Sequence, residues 1–392
     1  MMQATQDPNA SAQQFACDAC GGTLLYDPGS KSLKCKHCKA VAPPARLVPT
    51  TPGPREIPLR AGLAMQAPTG LGVQLQAVQC NSCGATVNMG PEERAGACSF
   101  CASPMVVTVA AGANLISPES LVPFQITKDH ATSGFNVWLK GLWFRPSDLA
   151  KLAKLDKVQG VYVPYWTFDA DVRSDWTAER GWNYQETEWY TDSQGNQQSR
   201  TVTKTRWEHA SGWRQDHYDD VLVCASKGVP AELVDKLTSF QTTHLVAYSP
   251  GYLAGWKAEA YVVQLPDAWS QGQKKIFTEQ EKKCGSDVGG DTHRALVVQN
   301  HTGNETFKHV LLPIYVAAYR YGDKPYQVLI NGQTGEVVGK APWSVLKIAL
   351  AVLAALAFCA AMAALVMYFQ HEPAPKSAPT KAAPAATTPK RK

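Results

Sequence analysis

Residues 17–38 read CDACGGTLLYDPGSKSLKCKHC, and residues 80–101 read CNSCGATVNMGPEERAGACSFC. Both are Cys-x2-Cys-x14-Cys-x2-Cys. Each of Cys80, Cys83, Cys98 and Cys101 stands 63 residues after its counterpart among Cys17, Cys20, Cys35 and Cys38. Four matched offsets make this an internal repeat. A Cys-x-x-Cys pair on a tight turn aims two thiolates at one point, and a second such turn completes a tetrahedron. Zinc prefers that geometry and those soft ligands, and four sulfurs leave no open position on the metal. The x14 interval sits just below the usual ribbon range, which is no obstacle to a short hairpin between the pairs. Glycine follows the second cysteine in both repeats, as Gly21 with Gly22 and as Gly84. A residue there often takes positive φ so that backbone amides can turn toward sulfur. The sequence thus predicts two small four-cysteine zinc ribbons, at 15–40 and 75–110, each holding one structural Zn2+. His37, inside the second knuckle, is expected to be a bystander because four thiolates fill the shell.

Disulfides and a redox Cys-x-x-Cys are the competing uses of these residues. Residues 1–14 are polar and carry no secretory signal pattern, which points to a reducing compartment where disulfides do not persist. A redox motif needs one pair beside a βαβ pattern rather than two paired quartets. Eight of the eleven cysteines belong to the quartets, while Cys224, Cys284 and Cys359 stand singly.

With 392 residues and 45% apolar content, the chain has room for more than one folded unit. Its net charge of +5 is mild and uneven. Ribbon one carries Lys31, Lys34, Lys36 and Lys39 against Asp18 and Asp27, whereas ribbon two carries Glu92, Glu93 and Arg94. Only the first could attract phosphate, and four lysines on a small module more often form a solvated face.

Outward from the ribbons, residues 1–14 read as disordered. Residues 41–74 hold Pro43, Pro44, Pro49, Pro52, Pro54, Pro58 and Pro68, a density that predicts an extended linker with no core of its own. The ribbons are then tethered beads, free to dock. An α+β domain with an antiparallel sheet is expected over 116–342. Thr127 is a candidate N-cap for a helix carrying Phe135, Trp138, Leu139 and Leu142, and Pro146 can start a second with Leu149, Leu152 and Leu155. The stretch GVYVPYWTFDADV, residues 160–172, has strand composition. Alternating runs between Trp182 and Trp213 flank DSQGNQQ and predict a hairpin. Trp166, Trp176, Trp182, Trp189, Trp207 and Trp213 line this region, either as a covered β surface or as a partner-binding face. Helices are expected at 230–240 and 267–284. An antiparallel meander over 293–342 should turn at Gly303-Asn304, Gly322-Asp323 and Asn331-Gly332. Strands and helices come in blocks, which favours α+β.

A transmembrane helix is expected at 345–369, because Ile348 to Phe369 is free of charge. Trp343 and Tyr368 suit the two interfaces, and Lys347 can snorkel. The tail, 370–392, is Ala/Pro/Lys-rich and expected to be disordered. Its lysines would draw it to the cytoplasm, but eight reduced cysteines place the N-terminal domains there instead. The expected location is the bacterial inner (cytoplasmic) membrane, single-pass.

No phosphate-loop motif, HExxH, GxSxG or helix-opening GxGxxG occurs. Asp216, His217, Asp219 and Asp220 form the densest acid/His cluster, of a kind usually found on exposed turns. Cys224 with His244 or His209 is a weaker nucleophile pairing, since VLVCAS reads as a buried strand.

The ribbons, LVPFQITKDHA, GVYVPYWTFDA, VLINGQTGEVVGKAP and the terminal span together resemble a bacterial family of zinc-ribbon membrane proteins. Its members are often labelled "primosomal protein N-prime (replication factor Y), superfamily II helicase"-like. The resemblance covers roughly residues 75–345. It matches Cys80, Cys83, Cys98 and Cys101 to the family's zinc ribbon, with Cys17, Cys20, Cys35 and Cys38 forming another of the same kind. Similar proteins are encoded beside phage-shock protein A homologues and SPFH-domain proteins, which implies a membrane-associated role near such assemblies. The helicase label does not carry over, because a superfamily II helicase needs nucleotide-binding motifs that this sequence lacks. The leading expectation is a non-enzymatic, membrane-anchored adaptor for protein partners. The alternative is nucleic-acid binding through ribbon one.

Overall fold

The computed structural model describes residues 15–43, 47–49, 53–64, 76–80, 85–89, 98, 100, 106–109, 116–149, 155–321 and 324–370. The lead-in at 1–14, the tail from 371 and the expected turn at Gly322-Asp323 lie outside them. The chain divides into two compact units, Met1–Gly141 with Asp148–Ala341 and Leu142–Ser147 with Pro342–Lys392.

The first unit is dominated by a large, mostly antiparallel sheet with few helices. In chain order its strands are β1 (Leu24–Asp27), β2 (Ser32–Cys35), β3 (Ile57–Pro58), β4 (Gln76–Cys80), β5 (Thr86–Met89), β6 (Val106–Val109) and β7 (Ser120–Leu121). There follow β8 (Leu155–Thr191), β9 (Gln197–Cys224), β10 (Val246–Ala247), β11 (Lys257–Glu259), β12 (Thr292–Tyr321), β13 (Lys324–Asn331) and β14 (Val337–Gly339). Strands β1 and β2 form their own two-stranded sheet. The other twelve share one sheet whose spine is the antiparallel pair β8 and β12. On the free edge of β8, β11 pairs near Val161 and β9 runs from Tyr165 outward. The free edge of β12 takes β3, β7 and β13.

Three zones succeed one another along the 37 residues of β8. From Val161 to Ala170 every residue is buried, because both faces are covered. Core side chains such as Val161, Val163, Val310 and Leu312 cluster on one side, with Trp166, Phe168 and Phe307 on the other. Next, Val172, Ser174, Trp176 and Ala178 are buried at period two, beneath a helix at Leu265–Asp287. That helix turns Leu265, Ala268, Gly272, Ile276, Gln280 and Cys284 inward, one per turn. Gly272 is required there, since a Cβ would come within 2.8 Å of Phe168. Beyond Gly181, β12 ends and β8 and β9 continue as a two-stranded hairpin closed by Asp192–Asn196. Its arms are exposed on both faces.

The expected hairpin is therefore present but far longer than 182–213. Gly303-Asn304 does not reverse the chain: it is a bulge inside continuous β12, with Asn304 at φ 54°. Leu155 opens β8 rather than extending a helix after Pro146. The helix expected at 230–240 shrinks to Ala231–Val234 with following turns. Thr127 caps Lys128–Lys140 as expected, its Oγ1 accepting from His130 N at 3.3 Å. Within the proline-rich linker, Ile57 and Pro58 pair with β12 and lead into a helix at Leu59–Ala64; Ile57 and Leu59 are buried against Trp166 and Phe307. Proline density lowers the entropy of an extended segment but does not stop its apolar residues from seeking a core.

In the second unit, a helix spans Val345–Gln370. Its stretch Val345–Met367 has no residue buried and is long and apolar enough to cross a membrane.

Candidate metal centre

The first quartet is brought together. Each knuckle is the same turn. Cys17 N donates to Gly22 O at 2.7 Å and Gly21 N to Cys17 O at 2.8 Å; Cys35 N donates to Ala40 O at 2.8 Å and Lys39 N to Cys35 O at 3.1 Å. The fifth residue of each takes positive φ, Gly21 at 69° and Lys39 at 64°. A lysine there is strained, and its Nζ reaches back to Lys36 O at 2.9 Å. The β1–β2 hairpin, with Leu24 opposite Cys35, brings the two turns face to face.

All four sulfurs lie within 4.8 Å of one another, with Cys17 Sγ to Cys38 Sγ at 3.6 Å and Cys20 Sγ to Cys35 Sγ at 3.5 Å. A tetrahedral shell with metal–sulfur bonds of about 2.3 Å has edges of about 3.8 Å, so this set could hold a metal. The space is reserved by a missing side chain. A Cβ on Gly22 would stand 2.6 Å from the His37 ring and 3.3 Å from Cys20 and Cys35 Sγ. Backbone N–H groups of Cys38 and then His37 hold Cys35 down to about 6. Cys38 is pushed up to about 12: the Ala40 N–H favours its thiolate, but the crowding sulfurs, Cys20 first, outweigh it. Four thiolates this close need a cation between them to be charged together. His37 is exposed and lies outside the sulfur set.

The ribbon is docked rather than tethered. Tyr26 N donates to Ala254 O at 2.9 Å, Trp256 Nε1 donates to Tyr26 O at 3.0 Å, and the Tyr26 hydroxyl reaches Phe124 O at 3.4 Å. Phe124 stacks on Trp256 with centroids 4.0 Å apart. Gly255, at φ 82°, lets Leu25 approach where a Cβ would be 2.9 Å away. Cys17 and Cys35 are buried, while Cys20 and Cys38 are exposed, as are Lys31, Lys36 and Lys39.

For the second quartet, Cys83 and Cys101 lie outside the described residues. What is described repeats the first ribbon at the same offset. Cys80 N donates to Ala85 O at 2.8 Å, as Cys17 N does to Gly22 O. The bridge between Ala16 and Thr23 recurs as Gln79 opposite Thr86. Phe100 N donates to Cys98 Sγ at 3.4 Å. Here, however, the strands belong to the large sheet: β5 pairs with β11, which pairs with β8. Cys80, Ala85, Cys98 and Phe100 sit in its main core.

The acid/His cluster does not converge. Asp216 is held by Arg214 at 2.6 Å, with Gln280 and Lys283, well below the usual carboxylate range. His217 pairs with Asp171 at 2.8 Å, which raises it. Asp220 turns to Lys308 at 2.7 Å. A second acidic group, Glu56, Asp169 and Asp220, was not visible in sequence because Glu56 comes from the linker. Its cation is supplied by the chain: Lys308 Nζ, 5% exposed, bridges Glu56 and Asp220. Cys224 lies beside Tyr165 and burial pushes its thiol up to about 12, while His244 contacts Gln333 at 3.1 Å. The six tryptophans share no single face. Trp166 and Trp176 are core, whereas Trp182, Trp189 and Trp213 are exposed.

No protein-family model matches the chain, and no solved structure does. The chain is similar to the uncharacterized protein YdjG of Bacillus subtilis (strain 168), 28% identical over 239 residues. That match covers 60% of this chain and 66% of the relative, just under two thirds of its length.

Proposed function

We propose that this protein is a non-enzymatic, membrane-anchored adaptor whose two ribbons each bind one structural Zn2+. Cys17, Cys20, Cys35 and Cys38 hold the first ion, and Cys80, Cys83, Cys98 and Cys101 the second. The observation that carries the reading is the placement of the first quartet, closed by four sulfurs and fixed to the sheet through Tyr26. A closed shell supports a structural metal, because it leaves no position for a substrate. The docking through Tyr26 supports a presentation role, since it would give the exposed Cys20 and Cys38 knuckles a set orientation.

The apolar Val345–Gln370 helix supports the anchor in a bacterial inner membrane, with the N-terminal domains cytoplasmic. SPFH-domain or phage-shock-type proteins are the partner class, on the family resemblance. The test is recovery of tagged full-length protein in mild detergent, with Cys17→Ser/Cys20→Ser as control. Ribbon-dependent capture of such a protein, without nucleic acid, is expected. Salt-sensitive DNA or RNA in place of a protein partner would overturn the adaptor reading in favour of nucleic-acid binding.

A further inference from the structure

The second unit joins two segments far apart in sequence, Leu142–Ser147 and the chain from Pro342 onward. Ser344 is the join. Its carbonyl accepts from Ile348 N at 3.0 Å and its Oγ from Lys347 N at 3.3 Å, so it caps the apolar helix. Its own N–H donates to Phe144 O at 2.9 Å. Lys347 Nζ donates to Trp143 O at 3.2 Å, and the Arg145 guanidinium lies 3.7 Å over the Trp343 ring. The loop is thus fastened to the first turn of the helix by one backbone bond, one lysine and one cation–π contact.

Its outward side is unusual for a surface loop. Trp143 is 81% exposed, Phe144 43% and Trp343 63%, and they adjoin the apolar helix. Facing water, the exposed parts of these rings forgo the favourable free energy of burial. At a bilayer boundary the same rings are at home, their apolar bodies among acyl carbons and the indole N–H among headgroups. Arg145 and Lys347 stand beside them at the end of the helix, where cations meet lipid phosphate.

We propose that Leu142–Ser147 is a second membrane element, an interfacial loop that seats Trp143 and Phe144 at the same depth as Trp343, with Arg145 and Lys347 facing phospholipid phosphate. This rests on reading Val345–Gln370 as a membrane span. The loop adds a second point of attachment beside the helix, so the bilayer grips two chain segments instead of one.

Fluorine NMR of full-length, fluorotryptophan-labelled protein in phosphatidylcholine–phosphatidylglycerol vesicles tests it. Trp143→Phe and Trp343→Phe assign the two signals, and lipids spin-labelled high on the acyl chain supply the broadening. Both signals are expected to broaden beyond detection. Broadening of Trp343 alone would leave the span standing and overturn the interfacial loop. Broadening of neither, with protein released from the vesicles by carbonate, would overturn the span and the loop together. Broadening of Trp143 alone would overturn the shared depth.

Discussion

The two cysteine quartets repeat one sequence pattern and share the bond from the first cysteine's N–H to the carbonyl five residues on, yet their described strands are built into the molecule differently. Ribbon one keeps its own two-stranded sheet and touches the rest through Tyr26, Leu25 and the segment 251–256. Ribbon two gives its strands to the large sheet and its Cys98 and Phe100 to the main core. The difference teaches that a repeated cysteine pattern does not by itself fix how its strands attach to the rest of the molecule. Losing the first should be a local event, and losing the second a global one.

The largest expected effect is on ribbon two. Phe100→Ala, at a side chain 1% exposed, should cost about 3–5 kcal/mol of global stability in denaturant unfolding. Cys80→Ser with Cys98→Ser should do comparable damage, seen as lost amide protection along β8. If either change leaves β8 protected, ribbon two is an appendage and the contrast fails.

Acid probes the sheet without touching a cysteine. His309, 3% exposed between Trp166 and Tyr261, is lowered by burial from 6.5 to about 4 despite its bond to Ile116 O. A depressed folded value means neutral His309 stabilises the fold above about 6.5, and that stability is lost as pH falls toward about 4. The loss approaches about 3 kcal/mol. A pH series of unfolding midpoints should flatten over this window in His309→Gln. An unchanged slope would assign the acid limb to other groups.

Trp256→Ala removes the ring stacked on Phe124 and the bond to Tyr26 O. It should cost about 2–3 kcal/mol and undock ribbon one. Bound metal should remain, while exchange at Tyr26 N speeds up by orders of magnitude relative to β8. Metal lost together with docking would show that the first ribbon is not autonomous.

The smallest change is Gly22→Ala, which places a methyl against His37 and two sulfurs. It should weaken metal binding at ribbon one on the order of tenfold, with the unfolding midpoint of the sheet unmoved. His37→Ala in the same chain should restore part of the affinity by clearing the ring. Failure of that rescue would place the strain in the knuckle backbone instead.

Much of this was legible in the residues. The knuckles, the Thr127 cap, the helix under the sheet and the terminal apolar helix all announce themselves through local chemistry. What local chemistry could not give was the fate of signals that depend on a neighbour. Gly303-Asn304 has the composition of a turn, but β8 pairs with β12 on both sides of it, and the positive φ of Asn304 sits in a bulge where the register shifts. Ile57 and Leu59 read as spacer because their core lies 250 residues on, at Phe307. The Glu56–Lys308 pairing was hidden for the same reason.

The uninterrupted β8 strand has a mechanical side. Its far end is a hairpin clasped by cross-strand pairs such as Lys204 with Glu186 and Glu188, and Arg200 with Glu188. Its near end is hydrogen-bonded to β11 and so one strand from ribbon two. Tension applied at the Asp192–Asn196 tip draws on both arms of the hairpin and loads the long β8–β12 ladder in shear, where many bonds share the force rather than opening one by one. A pull on the tip is therefore spread over the long ladders before it reaches β11 and, beyond it, the strands next to Cys80.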